Sequence, residues 1–412
     1  MNDDTVEPIR LQTTPDMIRP LEPAPVNPMW RFVRYIFYLA ATAVSGIVMG
    51  MLILALPGPV MPPTTFWGSI IGVLLCLYLV VAFHEVGHAL GGRLADYHLV
   101  YLVVGPLRLG REVNGWRLRF LKDRLFAFGG WAYSVPKRRD GWRWRRSLFI
   151  LGGPLASLLL ALAVVGLRFA WHDMIIWPPL ALTTHFLSFA AIAILPFSLI
   201  PMVIRGQRND ALILIDTLRL RGELARRQQA LTWLIAEAFQ GKRSRETDTA
   251  VLTELLYPAD GSHEELMGSI WGYYYEMDRQ QYRRAAAYLD RALAILQENP
   301  QPATLTLCAL DAAFFEARYG RRPEVAAAWL ELVDLKQATH PANAAEMKLV
   351  QHRTKTAVLL AQGNPTAAHQ EVEKAVALLP ELVDQGGIRI EEEWLEELAV
   401  EAAQTYEVSE TS

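Results

Sequence analysis

Ile70-Ile71-Gly72-Val73-Leu74-Leu75-Cys76-Leu77-Tyr78-Leu79-Val80-Val81-Ala82-Phe83-His84-Glu85-Val86-Gly87-His88 runs from apolar side chains into three ionisable ones. An uncharged apolar run ends in the pattern His-Glu-x-x-His. On a helix, positions four apart share a face, so His84 and His88 present two imidazoles to one metal ion. Glu85 projects from the adjacent edge, within reach of a metal-bound water. Zinc takes nitrogen and carboxylate ligands in a tetrahedron, and a catalytic site leaves one corner for water. The pattern therefore asks for a third protein ligand elsewhere. The competing reading is a pair of structural histidines capping a membrane helix. Ionisable groups beside an apolar span are costly and usually functional, which favours the metal.

Composition bounds the rest. The chain has 412 residues, 52% hydrophobic and 20% charged, as expected of a membrane part fused to a soluble part. A formal net charge of -3 is uninformative about nucleic acid, and the lack of a basic aromatic patch argues against it as a partner. The two cysteines are Cys76, in the apolar run, and Cys308, far along the chain. No disulfide framework is expected, which fits a reducing compartment for the soluble part.

Residues 1–30 are polar and proline-rich and read as a disordered tail. Four spanning segments are expected: Phe32 to Leu56, Phe66 to about Gly92, Leu148 to Trp171, and Leu180 to Ile204. Pro196 and Pro201 interrupt the last. Gly152-Gly153-Pro154 opens the third with small residues that admit another helix backbone. Between the second and third lies a basic loop, Arg93 to Ser147. Within it Trp116 to Phe120 alternates like a short strand, and Phe128 to Pro136 reads as a hairpin or edge strand with a glycine kink. The fold class is thus mostly α: a polytopic helical membrane domain of about four spans with a small β-hairpin insertion, then an α-helical repeat domain.

Lys and Arg concentrate in the tail, the basic loop and everything after Ile204. The positive-inside rule then places both termini in the cytoplasm. The cytoplasmic ends of the second and fourth spans are level, so Asp210 can approach His84 and His88 and is the favoured third ligand. Asp96 and Asp216 are weaker candidates, Asp173 lies at the wrong face, and His185 reads as a packing or hydrogen-bonding residue. Asn209 or Asp210 caps the helix that follows.

From Phe66 to about Leu220 the chain resembles the site-2 protease family, zinc metalloproteases that cut inside membranes. His84-Glu85-Val86-Gly87-His88 matches its first motif. Gly129-Gly130-Trp131 resembles its glycine-glycine-aromatic strand, and Gly153-Pro154-Leu155-Ala156-Ser157 its glycine-proline-leucine-alanine-asparagine segment. Ser198-Leu199-Ile200-Pro201 with Asn209-Asp210-Ala211 resembles its asparagine-x-x-proline and aspartate-glycine element. The resemblance implies Zn2+ held by His84, His88 and Asp210, with Glu85 as general base. It implies substrate contacts from Gly129, Gly130, Trp131, Ser157 and Ser198. The family's asparagines are serines at Ser157 and Ser198, and its glycine is Ala211. The implied location is an integral place in a bacterial inner membrane, and the implied substrate a transmembrane segment of another membrane protein. An inactive membrane-anchored adaptor is the alternative; a metal transporter fits poorly, since charges do not recur along several spans.

The expected domains are a tail over 1–30, a metalloprotease domain over 31–220, a helical linker over 221–250, a tetratricopeptide-like repeat domain over 251–400 and an acidic tail over 401–412. Tyr274 to Leu296, Phe314 to Leu335 and Val358 to Leu379 share alanine-rich helical patterns at a spacing near 40 residues. Such repeats offer a surface for a cytoplasmic protein or peptide partner. Glu391-Glu392-Glu393 reads as solvated helix surface.

Overall fold

The computed structural model describes residues 7–18, 36, 66–112, 115–122, 129–171, 178–204, 207–335 and 344–410. Contacts divide the chain into two compact units. One comprises Pro23–Gly110 and Trp116–Leu220, the other Met1–Glu22, Arg111–Gly115 and Arg221–Ser412.

The first unit is built on α1 (Phe66–Leu94) and α2 (Trp142–Trp171). Both are long and apolar enough to cross a membrane. Ile71, Leu75, Leu79, Phe83, Val86, Leu90 and Leu94 are exposed at three- and four-residue spacing, one continuous stripe along α1. Leu155, Leu159, Leu162 and Phe169 do the same on α2. Stripes of this size suit lipid rather than water.

α3 (Pro178–Leu199) follows; its shorter apolar stretch is Thr183–Leu199. Four spans were the expectation, and two qualify among the described residues. The segment Phe32 to Leu56 lies outside them, and α3 stops at Leu199, ahead of Pro201, rather than running to Ile204.

Glycine sets how closely α1 and α2 cross. A Cβ on Gly87 would lie 2.4 Å from the Gly152 carbonyl oxygen, and one on Gly152 would lie 2.2 Å from that of Gly87. Only two backbones without side chains pack at this distance. The crossing brings the imidazole-bearing turn of α1 against the Gly152-Gly153 turn of α2.

Between the helices stands a four-stranded sheet, larger than the expected hairpin. It comprises β1 (Tyr97–Val104), β2 (Leu107–Glu112), β3 (Gly115–Phe120) and β4 (Gly130–Pro136), in the order β3-β2-β1-β4. β1 pairs antiparallel with β2 and β4. Among the described residues β4 is therefore an edge strand, with Gly130 opposite Val104 and Trp131 opposite Val103. After α3 a short ribbon, β5 (Val203–Ile204) with β6 (Gln207–Arg208), leads into α4 (Asp210–Arg219).

The second unit is helical: α5 (Gly222–Phe239), α6 (Thr249–Leu256), α7 (His263–Asp278), α8 (Tyr282–Glu298), α9 (Pro302–Phe315), α10 (Pro323–Glu331), α11 (Ala344–Ala361), α12 (Pro365–Leu378) and α13 (Gln385–Glu410). α7 with α8, α9 with α10 and α11 with α12 pack as successive pairs. Ala285, Ala292, Ala326, Ala368 and Ala375 are buried and let the paired helices approach.

Three observations add to the sequence reading. Within residues 221–250, expected as a helical linker, Ala230, Leu231 and Leu234 of α5 bury against Val251 and Leu255. The Pro-rich start is not wholly mobile, since Leu11 and Ile18 join the main hydrophobic core of this unit. Glu391 is not solvated surface. It is buried and pairs with Arg353, whose guanidinium lies between Phe314 and Trp394, 4.6 and 4.8 Å from the ring centres.

Candidate metal centre

Two imidazoles come from one turn of α1. His84 and His88 are both buried, with ring centroids 4.8 Å apart and planes at 85°. Each ring is held through Nδ1. His84 Nδ1 lies 2.8 Å from Ser157 Oγ, and His88 Nδ1 lies 3.0 Å from the Phe149 carbonyl oxygen. Both partners belong to α2. The second ring fits because residue 153 has no side chain: a Cβ there would sit 2.3 Å from His88 Nε2.

The third group arrives from α4. Asn209 caps that helix, accepting the Leu212 N–H, and also accepts the Met202 N–H. Its amide donates to the carbonyls of Phe197 and Ile200, 2.7 and 2.6 Å away. One side chain thus ties the broken end of α3 to the first turn of α4. Asp210, one residue on, is set against the histidines. His84 Nε2 is 2.9 Å from Asp210 Oδ2, and His88 Nε2 is 3.4 Å from Asp210 Oδ1. The two Nε2 atoms are 3.2 Å apart.

These distances fit a shared cation. A carbonyl only accepts, so His88 Nδ1 donates to Phe149, and in the neutral ring Nε2 offers a lone pair. That nitrogen faces a carboxylate oxygen and a second imidazole nitrogen, three ligand-type atoms in one small space. Zinc–nitrogen bonds of about 2.0–2.1 Å at tetrahedral angles separate neighbouring donors by roughly 3.3 Å, close to what is observed. His84, His88 and Asp210 form the group able to hold a metal among the described residues.

Glu85 stands beside this cluster and is buried. A Cβ on Gly130 would come within 2.3 Å of its Cγ, so β4 approaches the carboxylate as closely as a backbone can. The Ala132 N–H donates to it.

The other expected residues fall in different places. Trp131 is partly exposed on β4, and the Gly129 carbonyl accepts the Gly105 N–H, closing the end of the β1–β4 ladder. Ser157 touches His84 rather than facing outward. Ser198 is buried, and its hydroxyl donates to the Leu195 carbonyl of its own helix, 3.2 Å away. Asp96 and Asp216 are engaged elsewhere: Asp96 by Arg138 and Arg145 at 2.7 and 2.8 Å, Asp216 by Arg208 at 2.8 Å. His185 sits in α3 with its Nδ1 buried and unbonded, a packing residue. Asn209 caps α4, one of the two alternatives read from the sequence, and also holds the end of α3, which the sequence does not show. The role of the Phe149 carbonyl is not legible either, since a backbone carbonyl leaves no mark in a sequence.

Residues 72–390 match the model of peptidase family M50. The chain belongs to peptidase family M50. The match takes in both the His-Glu motif and Asp210, and it extends well into the helical unit. No curated protein and no solved structure gives a match to the chain. Membership in this M50 family and a cluster able to bind metal thus rest on independent observations, one of sequence and one of geometry.

Proposed function

We propose that this M50 peptidase is an intramembrane zinc endopeptidase that cleaves a transmembrane segment of another membrane protein. The observation that carries the reading is the convergence of His84, His88 and Asp210 beside Glu85, on helices whose outer faces suit lipid. A zinc ion held by these three residues supplies a water of lowered pKa and polarises the scissile carbonyl.

The chain's own groups do the rest. Glu85 takes a proton from the attacking water and returns it to the leaving amine. Ser157 and the Phe149 carbonyl hold the two imidazoles with Nε2 turned toward where the ion would sit. A helical substrate shields its carbonyls by its own hydrogen bonds, so it must unwind first. β4, as an edge strand beside Glu85, is suited to receive the unwound segment by strand addition. The geometry weakens the adaptor alternative: Ser157, one of the departures from the family pattern, has a partner at the site.

The fold also bears on topology. Residues 9–13 hydrogen-bond with α8 and with the turn after α9. In this reading residues 9–13 and the helical unit share one side of the membrane, and the chain between them would cross an even number of times. α1 and α2 account for two crossings. If α3 crosses as well, a fourth is required, and the apolar run Phe32 to Leu56 is the candidate. The helical pairs act in this reading as a tetratricopeptide-like module for a cytoplasmic partner. Comparative membrane proteomics of the parent against Glu85→Ala tests the activity. An uncut single-span protein accumulating in the variant supports it; identical membrane proteomes contradict it.

A further inference from the structure

Residues 7–14 run without regular secondary structure through a groove of the helical unit and end in a 3-10 turn, Pro15–Met17, and the contacts they make are of a kind that recognises peptides. The groove is built around one irregular turn. After α9 the chain makes a π-helical turn, Glu316–Gly320, followed by Arg321 at φ 53°, in the left-handed region. Such turns depart from the regular hydrogen-bond ladder and often mark functional sites. This turn, with Arg322 just after it, offers three groups to residues 9–11. The Tyr319 carbonyl accepts the Ile9 N–H at 3.0 Å. The fully buried Glu316 carboxylate accepts the Leu11 N–H at 2.9 Å. Arg322 donates to the Leu11 carbonyl at 3.2 Å. Across the groove, Asp290 of α8 accepts the N–H groups of Gln12 and Thr13 at 3.0 and 2.9 Å.

Every one of these bonds goes to backbone, which any extended chain supplies. Side-chain selection comes from two aliphatic residues, Leu11 and Ile18, whose side chains enter the core, while Met17 between them stays exposed. The receiving groups are held without the segment. Arg322 Nε donates to Glu316 Oε2 at 2.7 Å, and Gly320 leaves the space this carboxylate occupies, since a Cβ there would sit 2.0 Å from it. Tyr282 and Tyr319 stack at 4.1 Å and wall the same turn. A pre-held carboxylate and guanidinium that grip a backbone N–H and C=O together describe a binding site, not merely a packed strand.

We propose that this groove is a peptide-recognition site held in cis by residues 7–18, and that an extended segment of a partner protein occupies it by displacing them. The segment it takes has an aliphatic residue followed by two residues with backbone N–H groups, hence no proline at those three positions. A second aliphatic residue follows seven positions after the first, the Leu11-to-Ile18 spacing. This deepens the reading of the helical unit as a partner-binding module and does not depend on the peptidase reading.

The test uses the full chain in nanodiscs and a fluorescent peptide of residues 5–20, with binding read by anisotropy. A double variant, Leu11→Asp with Ile18→Asp, releases the segment. The peptide is expected to bind it about tenfold or more tightly than the parent, whose tethered segment competes at millimolar effective concentration. Adding Asp290→Ala, a groove-side change at a half-buried position, should weaken that binding about tenfold by removing two charge-assisted bonds. Equal binding to parent and released variant, or indifference to Asp290→Ala, overturns the proposal. So does a loss of helical content in the released variant, which would make the segment an integral part of the core. A partner retained by the helical unit with residues 7–18 still in place would uphold the module and overturn the displacement.

Discussion

Ser157 Oγ lies 2.8 Å from His84 Nδ1, on the side of the ring away from Asp210. The serine therefore holds the His84 ring with Nε2 turned toward Asp210, where a metal would sit. Groups bonded behind a metal-ligating histidine hold its orientation and basicity, and their loss typically costs 10–100-fold in affinity. Ser157→Ala is expected to weaken zinc binding by about that factor while leaving the helices folded. Competition against a chelator of known affinity, alongside circular dichroism, checks both parts.

Gly153 makes a sharper test of the same geometry. A methyl group at this position would overlap His88 Nε2, while one on Gly166 of the same helix would meet nothing within 4 Å. Gly153→Ala should displace the His88 ring and reduce zinc retention by more than about tenfold, the scale of losing one held ligand. Gly166→Ala should leave zinc retention unchanged and favour the helix by up to about 1 kcal/mol. Zinc content of the two purified variants decides between site geometry and a general intolerance of α2 to change.

The helical unit carries a pH dependence of its own. Arg353 bonds both Asp311 and Glu391, so one buried guanidinium serves two carboxylates. Burial pushes the Glu391 carboxyl up to about 7; Arg353 opposes this, and the charges of Asp311 and Asp384 add to it. A carboxyl raised in the folded state binds more protons there than in the unfolded chain. Its contribution is fully present below its unfolded pKa and is lost as pH rises through about 7. The thermal midpoint of the helical unit should thus fall between pH 5 and pH 8. Glu391→Gln keeps a neutral hydrogen-bonding side chain at every pH. It should remove Glu391's share of that slope and leave the share of Asp311, Glu346 and Asp384, whose carboxyls burial also pushes up. Thermal unfolding of parent and variant across this range is the check.

How far the structure can be read from the chain depends on the range of the interactions. His84 and His88 are four residues apart on one helix, so their pairing is local geometry and stands in the sequence. The close helix crossing is legible too, because Gly87, Gly152 and Gly153 are the residues it needs. The arrival of Asp210 is tertiary; its sequence marks are Asn209 beside it and two helix ends at one level. The sheet is under-read because β1 is buried along much of both faces and does not alternate cleanly. Glu391 and the N-terminal segment are misread for one reason. A glutamate run and a proline-rich stretch look solvated until a distant partner, Arg353 or the turn at Glu316, takes them in.

Zinc content of the purified full-length protein tests the centre most directly. The account predicts about one zinc per chain in the parent and in Glu85→Gln, with cleavage of a membrane substrate lost in Glu85→Gln by about 100-fold or more. It predicts that His88→Ala and Asp210→Ala each lose the metal. Full zinc in Asp210→Ala, or parental cleavage by Glu85→Gln, would contradict it.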